Sequence, residues 1–158
     1  MSVFTILLGL FTLVLFIYLL LVRRSVIIPT HVNKNRYWFY PVIALIIGVS
    51  GFANFTNLDG KLQTSLTVLV VLSFMLDKKG LTESNIILNS LDNRGIPFSS
   101  IEKVVLLVEE NQPIKMNFFR NGRRGPVLSF DRSLEELAVF FTSHLNDGSK
   151  LEIIIKED

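Results

Sequence analysis

The chain has 158 residues, 49% of them hydrophobic and 19% charged, with a formal net charge of +2 and a mean hydropathy of +0.46. That composition is too apolar for an ordinary water-soluble domain. The absence of cysteine excludes disulfides, thiolate zinc sites and cysteine nucleophiles.

Residues 3–22 form a run of twenty without an ionisable side chain, followed at once by Arg23 and Arg24. At about 1.5 Å per residue, such a helix matches the roughly 30 Å hydrocarbon core of a bilayer. No basic side chain precedes the run, and no small-residue cleavage site ends it. It therefore reads as a retained helix rather than a signal peptide. The loop from Arg23 to Arg36 carries four basic residues and no acid. A second uncharged run begins at Trp38, with Tyr37, Trp38 and Tyr40 placed as interfacial aromatics and Pro41 in the first turn.

Loop 54–61 follows, in which Asp59 and Lys61 cancel. Its only acid, Asp59, is read as a loop residue, leaving no carboxylate inside the membrane to relay protons or bind ions. The third run, residues 62–76, is short and contains Gln63, Thr64, Ser65, Thr67 and Ser73. To span, it must use flanking residues, tilt little or lie against its neighbours, and its Val-rich middle also fits a buried strand. Gly48, Ser50 and Gly51 allow close helix packing. Helices are thus expected at about 3–22, 37–54 and 58–76. Residues 1–78 form the transmembrane region, and 79–158 a separate domain.

Residues 1–76 hold five basic residues and one acid, whereas 77–158 hold eleven basic and thirteen acidic residues, a net of −2. The second half is therefore not a basic nucleic-acid module. The positive-inside rule assigns the Arg23–Arg36 loop and the Lys78-Lys79 signal to the cytoplasmic side. The expected location is the cell (plasma) membrane, multi-pass, with the N-terminus outside and the C-terminal domain cytoplasmic.

In that domain, Asn85–Asn89 and residues 101–108 read as strands. Ile114, Met116 and Phe118 alternate with polar or outward positions as a third strand. The stretch Arg120-Asn121-Gly122-Arg123-Arg124-Gly125 reads as a hairpin turn, with residues 127–130 returning. Ser133 to Glu136 fits a capping box, with Asp131 as a rival cap. Leu134, Leu137, Ala138, Phe141 and Leu145 follow at helical spacing. Leu151, Ile153 and Ile155 then alternate with Glu152 and Lys156 as a last strand. The fold class is α+β with transmembrane helices: three N-terminal spans, then a small antiparallel sheet domain with one C-terminal helix.

This order resembles bacterial membrane proteins with a pleckstrin-homology-like domain. The residues carrying the resemblance are Gly80-Leu81-Thr82, the Asn-Ile-Ile-Leu strand from Asn85, the stretch Ile96-Pro97-Phe98-Ser99-Ser100-Ile101-Glu102-Lys103-Val104, and the late helix. The likeness covers roughly residues 79–146 and departs from the usual plan in the strand after the helix. It implies a scaffold or regulatory module beside membrane helices, not an enzyme. Some membrane proteins with this type of domain serve bacteriocin immunity or stress protection.

Candidate contacts with an anionic lipid or a partner are Arg120, Arg123 and Arg124 on the hairpin, and Arg23 and Arg24 in the first loop. A solubilising tip and a topology determinant, respectively, explain the same residues without a ligand. In the resembling family, headgroups are bound through a basic loop between the first two strands. Here Thr82-Glu83-Ser84-Asn85 holds an acid and no base, so specific headgroup recognition is not implied. His31 and His144 are isolated, so no metal is expected. No cofactor motif and no serine-nucleophile elbow is present.

The expected function is that of a non-enzymatic membrane accessory or scaffold protein, its cytoplasmic domain contacting a membrane or cytoplasmic protein, a second copy, or the lipid surface. The alternative is a subunit of a transporter or channel complex.

Overall fold

The computed structural model describes residues 1–89, 91–92 and 94–156. The chain divides into two compact units, one of Met1–Arg24 with Val32–Asp77, the other of Ser25–His31 with Lys78–Asp158.

The first unit is helical. Helix α1 is Val3–Ser25, α2 is Arg36–Asn54, and α3 is Leu58–Ser73, prolonged by a 3₁₀ turn over Phe74–Leu76. All three are long and apolar enough to cross a membrane. The third run is therefore helical rather than a strand, and it starts before its apolar stretch. The side chain of Asn57 accepts the Gly60 N–H at 3.1 Å and caps α3 there.

The hydroxyls that made this run look marginal are satisfied within the helix. Thr64 donates to the Gly60 carbonyl, Ser65 to Lys61 and Thr67 to Gln63, each at 2.9 Å. A hydroxyl bonded one turn back exposes no unmade hydrogen bond to hydrocarbon, which removes most of its desolvation cost.

Asp59 is not a loop residue as expected but stands in the first turn of α3, where the helix dipole favours a carboxylate. It accepts from the Ser2 N–H at 2.9 Å, the Thr5 hydroxyl at 3.0 Å and the Gln63 amide at 3.2 Å. These bonds join the N-terminal ends of α1 and α3. At the other end of α3, Asp77 lies 3.2 Å from the Arg36 guanidinium at the start of α2. Arg36 also donates to the Phe74 carbonyl, and Tyr40 stacks on Phe74. The two clamps define an up–down–up arrangement.

Helices α2 and α3 meet at Gly51, where any Cβ would collide with the Thr64 side chain. The small residues of α2 thus serve packing within the unit.

The second unit holds two sheets and a helix. The first sheet has the order β1 (Ile28–Pro29), β2 (Gly80–Leu81), β3 (Asn85–Ile87) and β4 (Ile96–Pro97), all antiparallel. Its first strand comes from the segment between α1 and α2, which the sequence pattern left as a plain loop. Gly80 makes that pairing possible: its φ is +153°, and a Cβ there would strike the Ile28 carbonyl.

The second sheet contains β5 (Lys103–Glu109), β6 (Ile114–Arg120), β7 (Arg123–Arg124), β8 (Leu128–Phe130) and β9 (Lys150–Lys156). Strands β7 and β8 both pair with β6, and β9 lies on the far side of β5. Arg120 pairs with Arg123 across Asn121 and Gly122, whose φ values of 50° and 69° make a tight two-residue hairpin. The register then slips by one between Arg124 and Leu128, a bulge at Gly125 that seats the backbone against the Phe118 ring.

Helix α4 spans Leu134–His144. Ser133 caps it by accepting the Glu136 N–H at 3.2 Å. The Glu136 carboxylate lies 3.5 Å from Arg132, and the rival cap Asp131 bonds His31 instead. Leu137, Phe140 and Phe141 are buried and join Leu81, Ile86, Phe98, Val104, Leu106, Met116, Phe118 and Phe130 in one core.

The closing strand departs from the expected antiparallel sheet. β9 runs parallel to β5, with Val104 beside Leu151 and Leu106 beside Ile153. Chain reversal through α4 dictates this direction. Ser149 donates to the Ile101 carbonyl at 2.6 Å and Asn146 to that of Ser99 at 3.2 Å, pinning the strand's start beside the start of β5.

Candidate functional site

Two surfaces of the second unit carry chemistry or apolar area beyond what its fold requires. The first is the basic hairpin. Arg120, Arg123 and Arg124 are exposed and line an open groove of about 500 Å³ together with Ile96, Phe118 and Pro126. Arg124 is held in place by the Asn117 side-chain oxygen, which accepts from its Nε at 3.1 Å and its Nη2 at 3.0 Å. Among the described residues, neither Arg120 nor Arg123 forms an ion pair. The two face each other across the hairpin, a like-charge pairing that an anion between them would relieve. The carboxylate of Glu102 accepts the Gly122 N–H at 3.2 Å, so the tip is not uniformly positive.

Arg23 and Arg24 stand exposed in the last turn of α1, where cations are favoured by the helix dipole. They belong to the helical unit, and the hairpin arginines to the other.

The second surface is the outer edge of β9. Among the described residues, that strand has a neighbour on one side only. Ile153, Ile154 and Ile155 are 43%, 48% and 64% exposed. Successive residues of a strand point to opposite faces, so three consecutive isoleucines leave apolar surface on both. Core positions Val104 and Leu106 are fully buried, yet their register partners one strand outward are not. Sequence reasoning placed the strand but missed its exposure. The signal was Ile154, which breaks the apolar–polar alternation of Leu151, Ile153 and Ile155.

Both histidines contact neighbouring residues of the second unit. His31 Nδ1 lies 2.6 Å from Asp131. His144 stacks on Phe140 at 4.1 Å between ring centroids and shares the Phe140 carbonyl at 2.7 Å. Among the described residues, no group of three or more His, Cys, Asp or Glu side chains is placed to hold a metal ion.

Glu109 sits beside the open end of the β5–β6 turn. A 2.6 Å hydrogen bond from Lys115 holds its carboxyl below the usual carboxylate range, assisted by the charges of Lys115 and Lys156. Compared with family models, curated proteins and solved structures, the chain finds no match.

Proposed function

We propose that this protein is a non-enzymatic accessory protein of the cell membrane, whose C-terminal α+β domain docks on a protein through the edge of β9. The observation that carries this reading is the run Ile153-Ile154-Ile155, exposed on a strand whose outer edge is unpaired among the described residues. Such an edge offers unpaired amides and carbonyls together with apolar side chains, the two things strand addition requires. Soluble proteins protect edges of this kind, so one left bare is best explained by a partner.

The three apolar helices and their loop charges support anchoring in a membrane. The segment Ser25–His31 supports a shared side for the first loop and the domain, because it contributes β1 to that domain while staying covalently joined to α1 and α2. On the charge rule that side is the cytoplasm. The domain reads as a variant of the pleckstrin-homology-like plan, with two small sheets and a late helix around one core, to which β9 is an addition.

Two experiments test the reading. With a photo-crosslinking residue at Ile155 in native membranes, a protein adduct is expected, and none from the same residue at exposed Glu83. Equal capture from both positions would refute edge docking. With Gly148→Cys as the chain's single thiol, labelling by a membrane-impermeant maleimide is expected only after cell lysis. Labelling of intact cells would place the domain outside.

A further inference from the structure

Resting on the docking reading, we infer that the occupant of the β9 edge is a second copy of the same strand, paired antiparallel about a two-fold axis at Ile154. The backbone decides which residues can pair. The Lys150 N–H donates to the carbonyl of Glu102, the residue before β5, at 2.9 Å, with Lys150 in register with Lys103. Backbone groups alternate between the two edges of a strand, so even-numbered residues of β9 spend theirs on β5. Leu151, Ile153 and Ile155 present theirs to the open edge.

A two-fold antiparallel pair must therefore match odd residues with odd residues. Three such registers keep most of the strand paired, and they differ in charge. Centred on residue 152, Glu152 faces the second copy's Glu152. Centred on residue 153, Lys150 faces the second copy's Lys156. Centred on residue 154, Glu152 faces the second copy's Lys156 twice, Ile153 faces Ile155 twice, and Ile154 faces itself.

Only the last register has opposite charges opposed and isoleucine against isoleucine, and directly opposed charges decide such pairings. Glu152 already lies 2.7 Å from Lys103 on the neighbouring strand, so its carboxylate would then be flanked by two ammonium groups. Edge charges that ordinarily discourage pairing here specify one register of it. Two symmetry-equivalent patches also close on themselves, as isologous dimers do, so the β9 edge is used up within the pair.

The chain's lack of cysteine makes the test direct in the full-length protein in native membranes. Single variants Glu152→Cys, Ile153→Cys and Ile154→Cys each report one register by a symmetric disulfide on mild oxidation. In the proposed pairing the two Ile154 Cβ atoms are about 4.5–5.5 Å apart, while those of Ile153 are diagonal neighbours at about 7–8 Å. A disulfide needs about 3.5–4.5 Å. Ile154→Cys is therefore expected to give roughly tenfold more dimer than either other variant. A maximum at Glu152→Cys or Ile153→Cys, or no dimer from any of the three, overturns the proposal.

A second measurement does not depend on the thiol. Glu152→Lys and Lys156→Glu, each in the Ile154→Cys background, should lose the dimer when expressed alone and regain it when co-expressed with distinguishable tags. Misfolding could not be rescued by mixing, and absence of the mixed dimer overturns the register. Adducts from Ile155 to a different protein, with no disulfide at Ile154, would overturn self-pairing and leave edge docking standing. No adduct of any kind would remove both.

Discussion

His31 Nδ1 lies 2.6 Å from Asp131 Oδ2, joining the segment between the first two helices to the residue that follows β8. The His31 N–H donates to the Ser129 carbonyl at 2.6 Å as well. Both side chains are substantially exposed, and pairs of that kind contribute about 0–1 kcal/mol. Ile28, three residues earlier, is 3% exposed within the core. Asp131→Ala should therefore change the domain's stability by under about 1 kcal/mol, whereas Ile28→Ala should lower it by about 2–5 kcal/mol. Urea-dependent pulse proteolysis of the full chain in detergent distinguishes them. Equal effects would mean that the exposed pair, not the buried isoleucine, holds β1.

Gly51→Ala should loosen the helical unit. The new methyl group would overlap Thr64, and overpacking of this kind costs about 1–3 kcal/mol. Thr64→Ala removes the two nearest obstructing atoms, Cγ2 and Oγ1, and keeps the Cβ, so the double variant should recover part of the loss. Thermal melting of the helices in detergent reads this. Additive losses in the double variant would show that the two residues do not meet.

The Glu109–Lys115 contact makes stability depend on acid pH. Glu109 titrates below its ordinary value of 4.5 in the folded protein, chiefly because Lys115 donates to it. A carboxyl whose folded value is depressed stabilises the fold fully above the unfolded value and loses that contribution as pH falls through the folded one. Glu109→Gln should thus flatten the acid side of the stability profile from about pH 4.5 downward and leave its slope near neutrality unchanged. An unaltered acid limb would show that the contact does not persist in solution.

Phe141 is fully buried in α4, edge-on to both Phe98 and Phe140. Truncation to alanine should cost the domain about 3–5 kcal/mol. Ser133→Ala, which removes only the cap of the same helix, should cost about 1 kcal/mol. Hydrogen exchange of the α4 amides separates the two: the cap variant frays the first turn, while Phe141→Ala opens the whole helix.

Local chemistry wrote much of this protein into its sequence. The absence of charge over residues 3–22 decided α1, because no folded context makes twenty uncharged apolar residues suit water better than lipid. The Asn121-Gly122 turn, the Ser133 cap and the inward face of α4 were equally legible, since each depends on residues within a few positions of one another. The arginines of the hairpin could be placed on one tip for the same reason.

Long-range contacts decided the rest. No local signal tells that Ile28 and Pro29 pair with residues some fifty positions later, that Asp59 gathers Ser2, Thr5 and Gln63 around it, or that β9 lies parallel to β5. Alternation along a strand records how its two faces differ, but not which strand lies beside it, nor on which side none does. The bare isoleucine edge is therefore a property of the tertiary structure alone: the pattern says what the side chains are, and only the strand order says that no strand among the described residues lies on their outer side.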